Sequence, residues 1–491
     1  MTPREILGRL ESLGIEAKGL TDDSRQVLPG DVFLAYPGDM ADGRRYIADA
    51  LARGAQAVIW QAGDGFVWNP AWTVPNFSAD ALRSHAGPLA HMIYGHPSEG
   101  LSLIAVTGTN GKTTVSQCIG STYPKPCAII GTLGAGFPGE LVETGFTTPE
   151  ATTLMRCLAD FRTHKAAACA LEASSIGIEE GRMNGARVDV AVFTNFTRDH
   201  LDYHGTMEAY AVAKEKLFQW PRLRVAVINL DDALGLKLMR ETSAMRIIGY
   251  SIEAPRRDFP AIVRADNLVD TPFGQRFEVV LPNGKALVDT GLLGRYNVSN
   301  LLATAAVLHD AGLMPGEIAR RLSGLTPPPG RLERLGGSDE PLIVVDYAHT
   351  PDALENALSA LRPVAGARGG KLQVVLGCGG NRDKGKRPQM GAVAEQGADR
   401  VMVTSDNPRD EDAKSIIDAI LSGLVHAEVE IDRRVAIARA VAEAAPADVV
   451  LIAGKGHETY QEIAGERLPF SDLEEARMAL AKRRETQGES S

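Results

Sequence analysis

The segment Thr107–Thr114, TGTNGKTT, constrains this chain more than any other, because it stands between the apolar run LSLIAV and a stretch of helix-length sequence. A strand, a glycine-rich turn and a helix in that order place backbone amides and a helix N-terminus around one point, which is how protein backbones hold phosphate oxygens. Only Thr109 and Asn110 separate Gly108 from Gly111, fewer than the four residues of the common motif, so the loop is tighter or starts differently. Its chemical parts are all present. Lys112 is placed to reach β- and γ-phosphates, the Thr113 hydroxyl to ligate Mg²⁺, and Gly108, Thr109, Asn110, Gly111 and Thr114 to complete the cradle for ATP. A glycine turn carrying a solvated lysine is the bland alternative.

A loop of this kind needs a parallel sheet, and the rest of the sequence supplies one. Beyond the linker-like passage Tyr94–Gly100, apolar strand candidates at 101–106, 167–171, 188–193 and 224–229 alternate with helix-length segments. The three prolines of Thr326–Gly330 end this region, since they can neither continue a helix nor sit in a central strand. After them PLIVVDYA, KLQVVLGCGG, RVMVTS and DVVLIAGKG repeat the strand-to-polar-loop pattern of an open parallel sheet. The fold class is therefore α/β, in three domains: residues 1–97, a small α/β unit; 98–329, a central mostly parallel nucleotide-binding sheet; and 330–491, a Rossmann-like α/β unit. The helix after the phosphate loop looks short, broken by Gly120 and two prolines, and a polar tail frays after about Lys482.

Composition narrows the function. With 44% apolar and 23% charged residues the 491-residue chain is an ordinary globular protein, and its net charge of −10 argues against a broad nucleic-acid or anionic-membrane surface. Cys118, Cys127, Cys157, Cys169 and Cys378 are scattered, with no C-x-x-C pair, so neither a disulfide framework nor a zinc site is indicated. The N-terminus reads as an amphipathic helix, not a signal, and no stretch approaches the ~20 uncharged apolar residues of a membrane span. The expectation is a cytoplasmic protein without membrane insertion.

Other residues point to charge handling. Glu172 ends the apolar run AAACALEASS, where a desolvated carboxylate calls for a cation, and Mg²⁺ is the obvious one. His200 sits with Asp199, Asp202 and His204 in a loop past the next strand, beside the nucleotide loop. Lys214, inside MEAYAVAKEKLF, reads from its pattern alone as a snorkelling surface lysine. GRYNVSN and DYAHTP serve equally well as caps and turns.

Taken in order, TGTNGKTT, LEASS, TNFTRDHLDYHG, GRYNVSN, GRLE, DYAHTP and GCGGNRDKGKRP resemble the Mur ligase family of ATP-dependent amide-forming enzymes over essentially the whole chain. DSR at 23–25, DNPR at 406–409 and GKGHE at 454–458 resemble the branch that adds meso-diaminopimelate as the third residue of the peptidoglycan stem peptide. The resemblance implies that Ser24, Asp39, Met40 and Ala41 contact the uridine nucleotide of UDP-N-acetylmuramoyl-L-Ala-D-Glu, and that Thr147, Thr148, Ser174, Glu180 and Arg182 hold its dipeptide. It makes Asn297, Arg331 and Asp346 nucleotide contacts, and Arg382, Asp406, Asn407, Pro408, Arg409, Gly454 and Glu458 the diaminopimelate pocket. It also recasts Lys214 as a carbamylated lysine that joins Thr113, Glu172 and His200 around Mg²⁺, with Lys112, Lys214 and His200 as the catalytic set. Phe146 and Glu180 depart from the polar and neutral residues expected beside the dipeptide.

The implied reaction activates the D-glutamate carboxylate as an acyl phosphate, which the diaminopimelate amine converts to an amide. A monomer is expected to act on these small molecules and on no nucleic acid, with closure of the third domain about Gly100 and Pro329 excluding water. The rivals are the same ligation with L-lysine, another ligase of the family, a P-loop NTPase of another class, and a non-catalytic binding module. For Arg409 the competing structural reading is a turn at Asn407–Pro408 that leaves the guanidinium in solvent.

Overall fold

The computed structural model describes residues 1–38, 41–252, 262–271, 274–336 and 339–488. The apolar runs read from the sequence become strands because residues on both of their faces are covered by helices. Ser102–Thr107, Ala168–Glu172, Val190–Phe193 and Val225–Asn229 are almost wholly buried and lie side by side in parallel within an 11-stranded sheet. Cys127–Gly131 and Arg246–Ser251 extend the parallel part, and antiparallel ribbons finish both edges, at 134–142 and 262–290. These ribbons are short on continuous apolar sequence, which is why the apolar runs did not reveal them.

Register decides where the site forms. Val106 pairs with Glu172 and Thr107 with Phe193, so three neighbouring strands end at the same level. Their outgoing loops, 108–111, 173–174 and 194–199, therefore share one edge of the sheet. A second, 6-stranded sheet repeats the device. Asp346, Leu376 and Ala453 are level with one another, as are Leu376 and Val403, which sends the loops after all four strands to one edge. The two edges meet: Asn110 Nδ2 donates to Asp352 Oδ2 at 2.8 Å, Arg331 Nη2 to Thr113 Oγ1 at 3.1 Å, and Arg198 Nε to Asp383 Oδ2 at 3.1 Å.

The N-terminal part forms a 4-stranded parallel sheet, Gly19–Thr21, Asp31–Ala35, Ala57–Trp60 and Asn76–Ser78. One face has its own small core around Phe33, Ile47 and Val58. The other face does not: Ile6, Leu10, Leu34 and Leu89 join a single cluster with Leu103, Leu154 and Leu171 of the central sheet. Arg156 reinforces that joint by donating to Asp31 Oδ2 at 2.9 Å and to Tyr94 Oη at 3.1 Å.

Two local expectations need correction. The helix after the phosphate loop runs without a break from Lys112 to Thr122, because Gly120 packs flush against Ile129 and both prolines fall beyond the helix end. The C-terminal tail does not fray at Lys482: the helix Asp472–Gly488 continues past it, since Arg483 donates to the carbonyls of Val441 and Ala442 at 2.9 Å and Arg484 ion-pairs with Glu340. Polar composition there concealed specific anchoring.

That helix begins at a fully buried ion pair, in which Arg433 Nε and Nη2 each donate to the Asp472 carboxylate at 2.7 Å while Nη2 also reaches the Ala453 carbonyl at 2.9 Å. The pair fixes the strand end that precedes Gly454. Removing the carboxylate strands a desolvated guanidinium, so Asp472→Asn should lower unfolding stability by about 3–5 kcal/mol. Urea unfolding of the full chain measures this, and a loss below ~1 kcal/mol would show that water relieves the arginine.

Candidate active site

The phosphate loop takes its form from two backbone constraints. Gly108 has φ 152° and Gly111 φ 86°, and a Cβ at either would press within 1.8 Å of Thr194 Oγ1 or 2.5 Å of Asn300 Oδ1. Only glycine lets the chain pass so close to its neighbours. The loop is pinned from the adjacent strand end: Asn110 N–H donates to Asn195 Oδ1 at 2.8 Å, Thr109 N–H to the Asn195 carbonyl at 2.8 Å, and Thr194 Oγ1 to the Asn110 carbonyl at 2.6 Å. Asn195 was not singled out from the sequence, although it lies in the same TNFTRDH segment. Lys112 folds over the loop, its Nζ donating to the carbonyls of Gly108 at 2.9 Å and Thr109 at 2.8 Å.

Glu172 is completely buried and fully engaged. It accepts from Thr113 Oγ1 at 3.0 Å, from Thr132 Oγ1 at 3.1 Å and from Thr132 N–H at 3.0 Å. Thr132 escaped the sequence reading because the strand it follows, CAIIG, was not recognised as entering this sheet. The 3.0 Å between Thr113 Oγ1 and Glu172 Oε2 matches the separation of about 3.0 Å between adjacent oxygen ligands of an octahedral Mg²⁺ with bonds near 2.1 Å. This donor set fits that ion.

Lys214 is not the snorkelling lysine its pattern suggested. It is 1% exposed, its Nζ donating to the Gly108 carbonyl at 2.9 Å and lying 4.3 Å from the centre of the Tyr210 ring. Burial, with the positive charge of Lys112 nearby, holds its amine well below the ordinary lysine range. Burial likewise pushes His200 down to about 4, leaving a neutral imidazole at pH 7. Burial opposes the charge of its neighbour Asp199, yet the imidazoles of His349 and His200 keep that carboxyl below the usual carboxylate range. His204 turns away to Ser175 Oγ at 2.9 Å.

Next to the loop, Arg182 donates to the Thr148 carbonyl at 2.9 Å and to Glu180 Oε2 at 2.7 Å, and its guanidinium stacks 4.2 Å from the centre of the Phe146 ring. The two residues that departed from the expected pattern are thus the partners that hold Arg182. Thr147 bonds to Thr132 at 3.0 Å, and Thr148 to Ser174 Oγ at 3.0 Å.

Across the gap, Asn407 organises the second edge. Its side-chain oxygen accepts from Lys455 Nζ at 2.9 Å and from Glu462 N–H at 3.0 Å, and its Nδ2 donates to Glu458 Oε2 at 2.8 Å. Lys455, 0% exposed, was overlooked inside GKGHE, where a lysine between glycines looks solvated. Arg409 adopts φ 53° and directs Nη1 to the Gly380 carbonyl at 2.8 Å, with Nε 3.5 Å from Glu462. The solvent-facing alternative for Arg409 is overturned, because its side chain is held inside the fold at 20% exposure.

One cavity of about 470 Å³ joins these parts. Its wall includes Thr109–Thr113, Thr147, Thr148, Glu172, Ser174 and Arg182, then His200, Lys214 and Arg331, and finally Arg382, Arg409 and Glu458. A smaller chamber of about 180 Å³, which shares Arg382, Arg409 and Glu458, adds Asp406, Asn407 and Gly454. Tyr347 and His349 line both and were not among the expected site residues. Asn297 and Asp346 stand behind the wall: Asn297 Nδ2 donates to the Leu293 carbonyl at 2.8 Å, and Asp346 accepts from Leu332 N–H at 2.7 Å. Gly108, Thr114, Glu180 and Pro408 also lie outside the lining. Ser24 is buried in the N-terminal unit and Ala41 is exposed there, while Asp39 and Met40 lie outside the described residues.

Comparison with known proteins identifies the family of the chain. Residues 16–87 match the model described as Mur ligase family, catalytic domain; 106–308 the Mur ligase middle domain; and 330–456 the Mur ligase, glutamate ligase domain. The UDP-N-acetylmuramoyl-L-alanyl-D-glutamate–2,6-diaminopimelate ligase of Pseudomonas aeruginosa is 50% identical over 468 residues, 94% of each chain. The protein of the same name from Janthinobacterium sp. is 47% identical over 480 residues, again 94% of each. A solved structure of a ligase with that name is 39% identical, with a TM-score of 0.65 and 95% of each chain covered. MurF ligase from Thermotoga maritima in complex with ADP, 20% identical with a TM-score of 0.68, shares the fold over 96% of this chain. The chain belongs to the Mur ligase family.

Proposed function

We propose that this protein is the ATP-dependent ligase that joins meso-diaminopimelate to UDP-N-acetylmuramoyl-L-Ala-D-Glu in peptidoglycan precursor synthesis. The observation that carries this is the single cavity with a phosphate loop at one end, Arg182 and its threonines along the side, and Arg409 with Glu458 at the other end. Three reactants need three such walls. The relatives' names state UDP-N-acetylmuramoyl-L-alanyl-D-glutamate and 2,6-diaminopimelate.

In this reading the backbone amides of the loop, Lys112 and Arg331 neutralise the ATP phosphates, and Mg²⁺ held by Thr113 and Glu172, with His200 and a carbamylated Lys214, would add further charge neutralisation. Arg182, Thr147, Thr148 and Ser174 hold the dipeptide so that its D-glutamate carboxylate meets the γ-phosphate in line, forming an acyl phosphate and ADP. The amine of diaminopimelate then displaces phosphate. Arg409 and Arg382 face its distal carboxylate, Glu458 and Asp406 its ammonium, and Asn407 fixes Glu458 from below. Asn297 and Asp346 act from behind the wall by setting the segments that touch the nucleotide.

The carbamate on Lys214 follows from chemistry the site favours. A buried amine held neutral adds to CO₂, forming an N–C bond and releasing one proton, and the resulting carbamate is an anion able to face a cation. The domain division at residues 97 and 329, action as a monomer and a cytoplasmic location belong to the same proposal. Among the described residues no helix is long and apolar enough to cross a membrane.

Lys112→Ala should reduce amide formation by about 10²–10³-fold with unchanged circular dichroism, since a phosphate-neutralising donor is lost from a loop surface. Coupled ADP release that keeps more than about a tenth of its rate would remove Lys112 from the chemistry. Native mass spectrometry in CO₂-saturated buffer should find one CO₂ adduct that Lys214→Ala lacks; an adduct that persists in the variant would place it elsewhere. Arg409→Ala should cost roughly 2–5 kcal/mol in kcat/KM for diaminopimelate, while the unmutated enzyme should discriminate strongly against L-lysine, which leaves the guanidinium unpaired. Equal use of the two amino acids would favour the L-lysine reading.

A further inference from the structure

Outside the cavity, one cluster of ligand-bearing side chains stands out among the described residues, where the N-terminal unit joins the central sheet: His91, His96 and Glu99, whose nearest donor atoms all lie within 4.8 Å of one another. His91 closes the buried face of the helix Leu82–Ile93 and is 7% exposed. The chain then turns back sharply. His96 takes a left-handed φ of 55°, unusual for a side-chain-bearing residue, and its N–H donates to the His91 carbonyl at 2.7 Å. Arg162 secures the turn by donating to the carbonyls of Gly95 at 2.9 Å and His96 at 3.3 Å.

This backbone aims two imidazole nitrogens at one point. His91 Nδ1 and His96 Nδ1 are 3.2 Å apart with their rings nearly perpendicular, at 86°. Two imidazole nitrogens bound to one tetrahedral Zn²⁺ at 2.0–2.1 Å stand about 3.3 Å apart. The far side of His91 is supported as metal-binding histidines commonly are: its Nε2 lies 2.8 Å from Ser98 Oγ, which is fully buried and itself accepts from Arg187 N–H at 2.9 Å. Glu99 is exposed one helical turn on, with a carboxylate oxygen within 4.8 Å of an imidazole nitrogen of each histidine.

We propose that His91, His96 and Glu99 bind a divalent transition cation of the Zn²⁺ class, with water in the fourth position. Imidazole nitrogens select such an ion over Mg²⁺, so the site is distinct from the oxygen-lined one at Glu172. Today the two Nδ1 atoms share one proton in a hydrogen bond. On binding, that proton leaves Nδ1 for Nε2 of the same ring, which frees both Nδ1 lone pairs for the cation. The cation ties the end of helix Leu82–Ile93 to the segment that leads into the strand carrying the phosphate loop.

Isothermal titration of the full, chelator-treated chain with Zn²⁺, in parallel with His96→Asn, tests this without reference to the ligase reaction. Asn tolerates the left-handed backbone but is a poor zinc ligand. The unmutated chain should bind one more equivalent of Zn²⁺ than the variant and show a higher Tm with the ion, and Ser98→Ala should weaken that step by roughly 10–100-fold. Should His96→Asn fold poorly, Glu99→Gln replaces it, with weaker Zn²⁺ binding expected. Equal stoichiometry and affinity in the unmutated chain and in the folded variant would overturn the proposal and leave the pair a histidine–histidine hydrogen bond only.

Discussion

Parallel strands in register are the constraint from which the rest of this structure follows. Because each connection crosses back through a helix, every strand of such a sheet delivers its next loop to the same edge. Pairing Val106 with Glu172 and Thr107 with Phe193 therefore places the phosphate loop, the Glu172 carboxylate and the Asp199–His200 pair together without any long-range device. The second sheet does the same with the loops bearing Tyr347, Arg382, Arg409 and Glu458. Apposing the two edges yields one cavity whose wall comes from seven or more separate loops.

The site that results is a problem in desolvation. Glu172, Lys214 and Lys455 are all but removed from water, and each is tolerated because fixed groups replace its hydration. Glu172 is met by two hydroxyls and an amide, Lys214 by a carbonyl and an aromatic face, and Lys455 by Asn407 and Glu458. Such groups need not reorganise when a charged substrate arrives. Arg182 obeys the same logic through Glu180 and Phe146, so the two apparent departures from pattern are compensations within one packing unit.

Much of this was legible in the sequence, and what was missed has physical causes. Fully covered strands such as Ser102–Thr107 announce themselves as uninterrupted apolar runs. The ribbon at 262–290 alternates apolar with polar residues over one solvated face and joins the sheet only through tertiary pairing. That Lys112 and Thr113 line the cavity could be expected from the loop alone, because neighbours in sequence are neighbours in space there. Thr132 acts on Glu172 from 40 residues away, Asn110 and Asp352 are 242 apart, and no local pattern encodes such meetings. Lys214 marks the limit most sharply, since a helical repeat shows which face a lysine occupies and not what covers that face.

The shared core between the N-terminal unit and the central sheet has a consequence for how the chain comes apart. Leu10, Leu34 and Leu89 belong to one continuous apolar cluster with Leu103 and Leu171, so loosening the N-terminal unit uncovers apolar surface of the central region and the stability of the two parts is coupled. The C-terminal body keeps separate cores, to which Leu293 and Tyr296 alone among the described residues of the central region contribute, and it also meets the rest through polar contacts such as Asn110–Asp352 and Arg198–Asp383. By their shared cores the described residues form two bodies, and the division falls across the large cavity, where each half contributes groups that the other lacks.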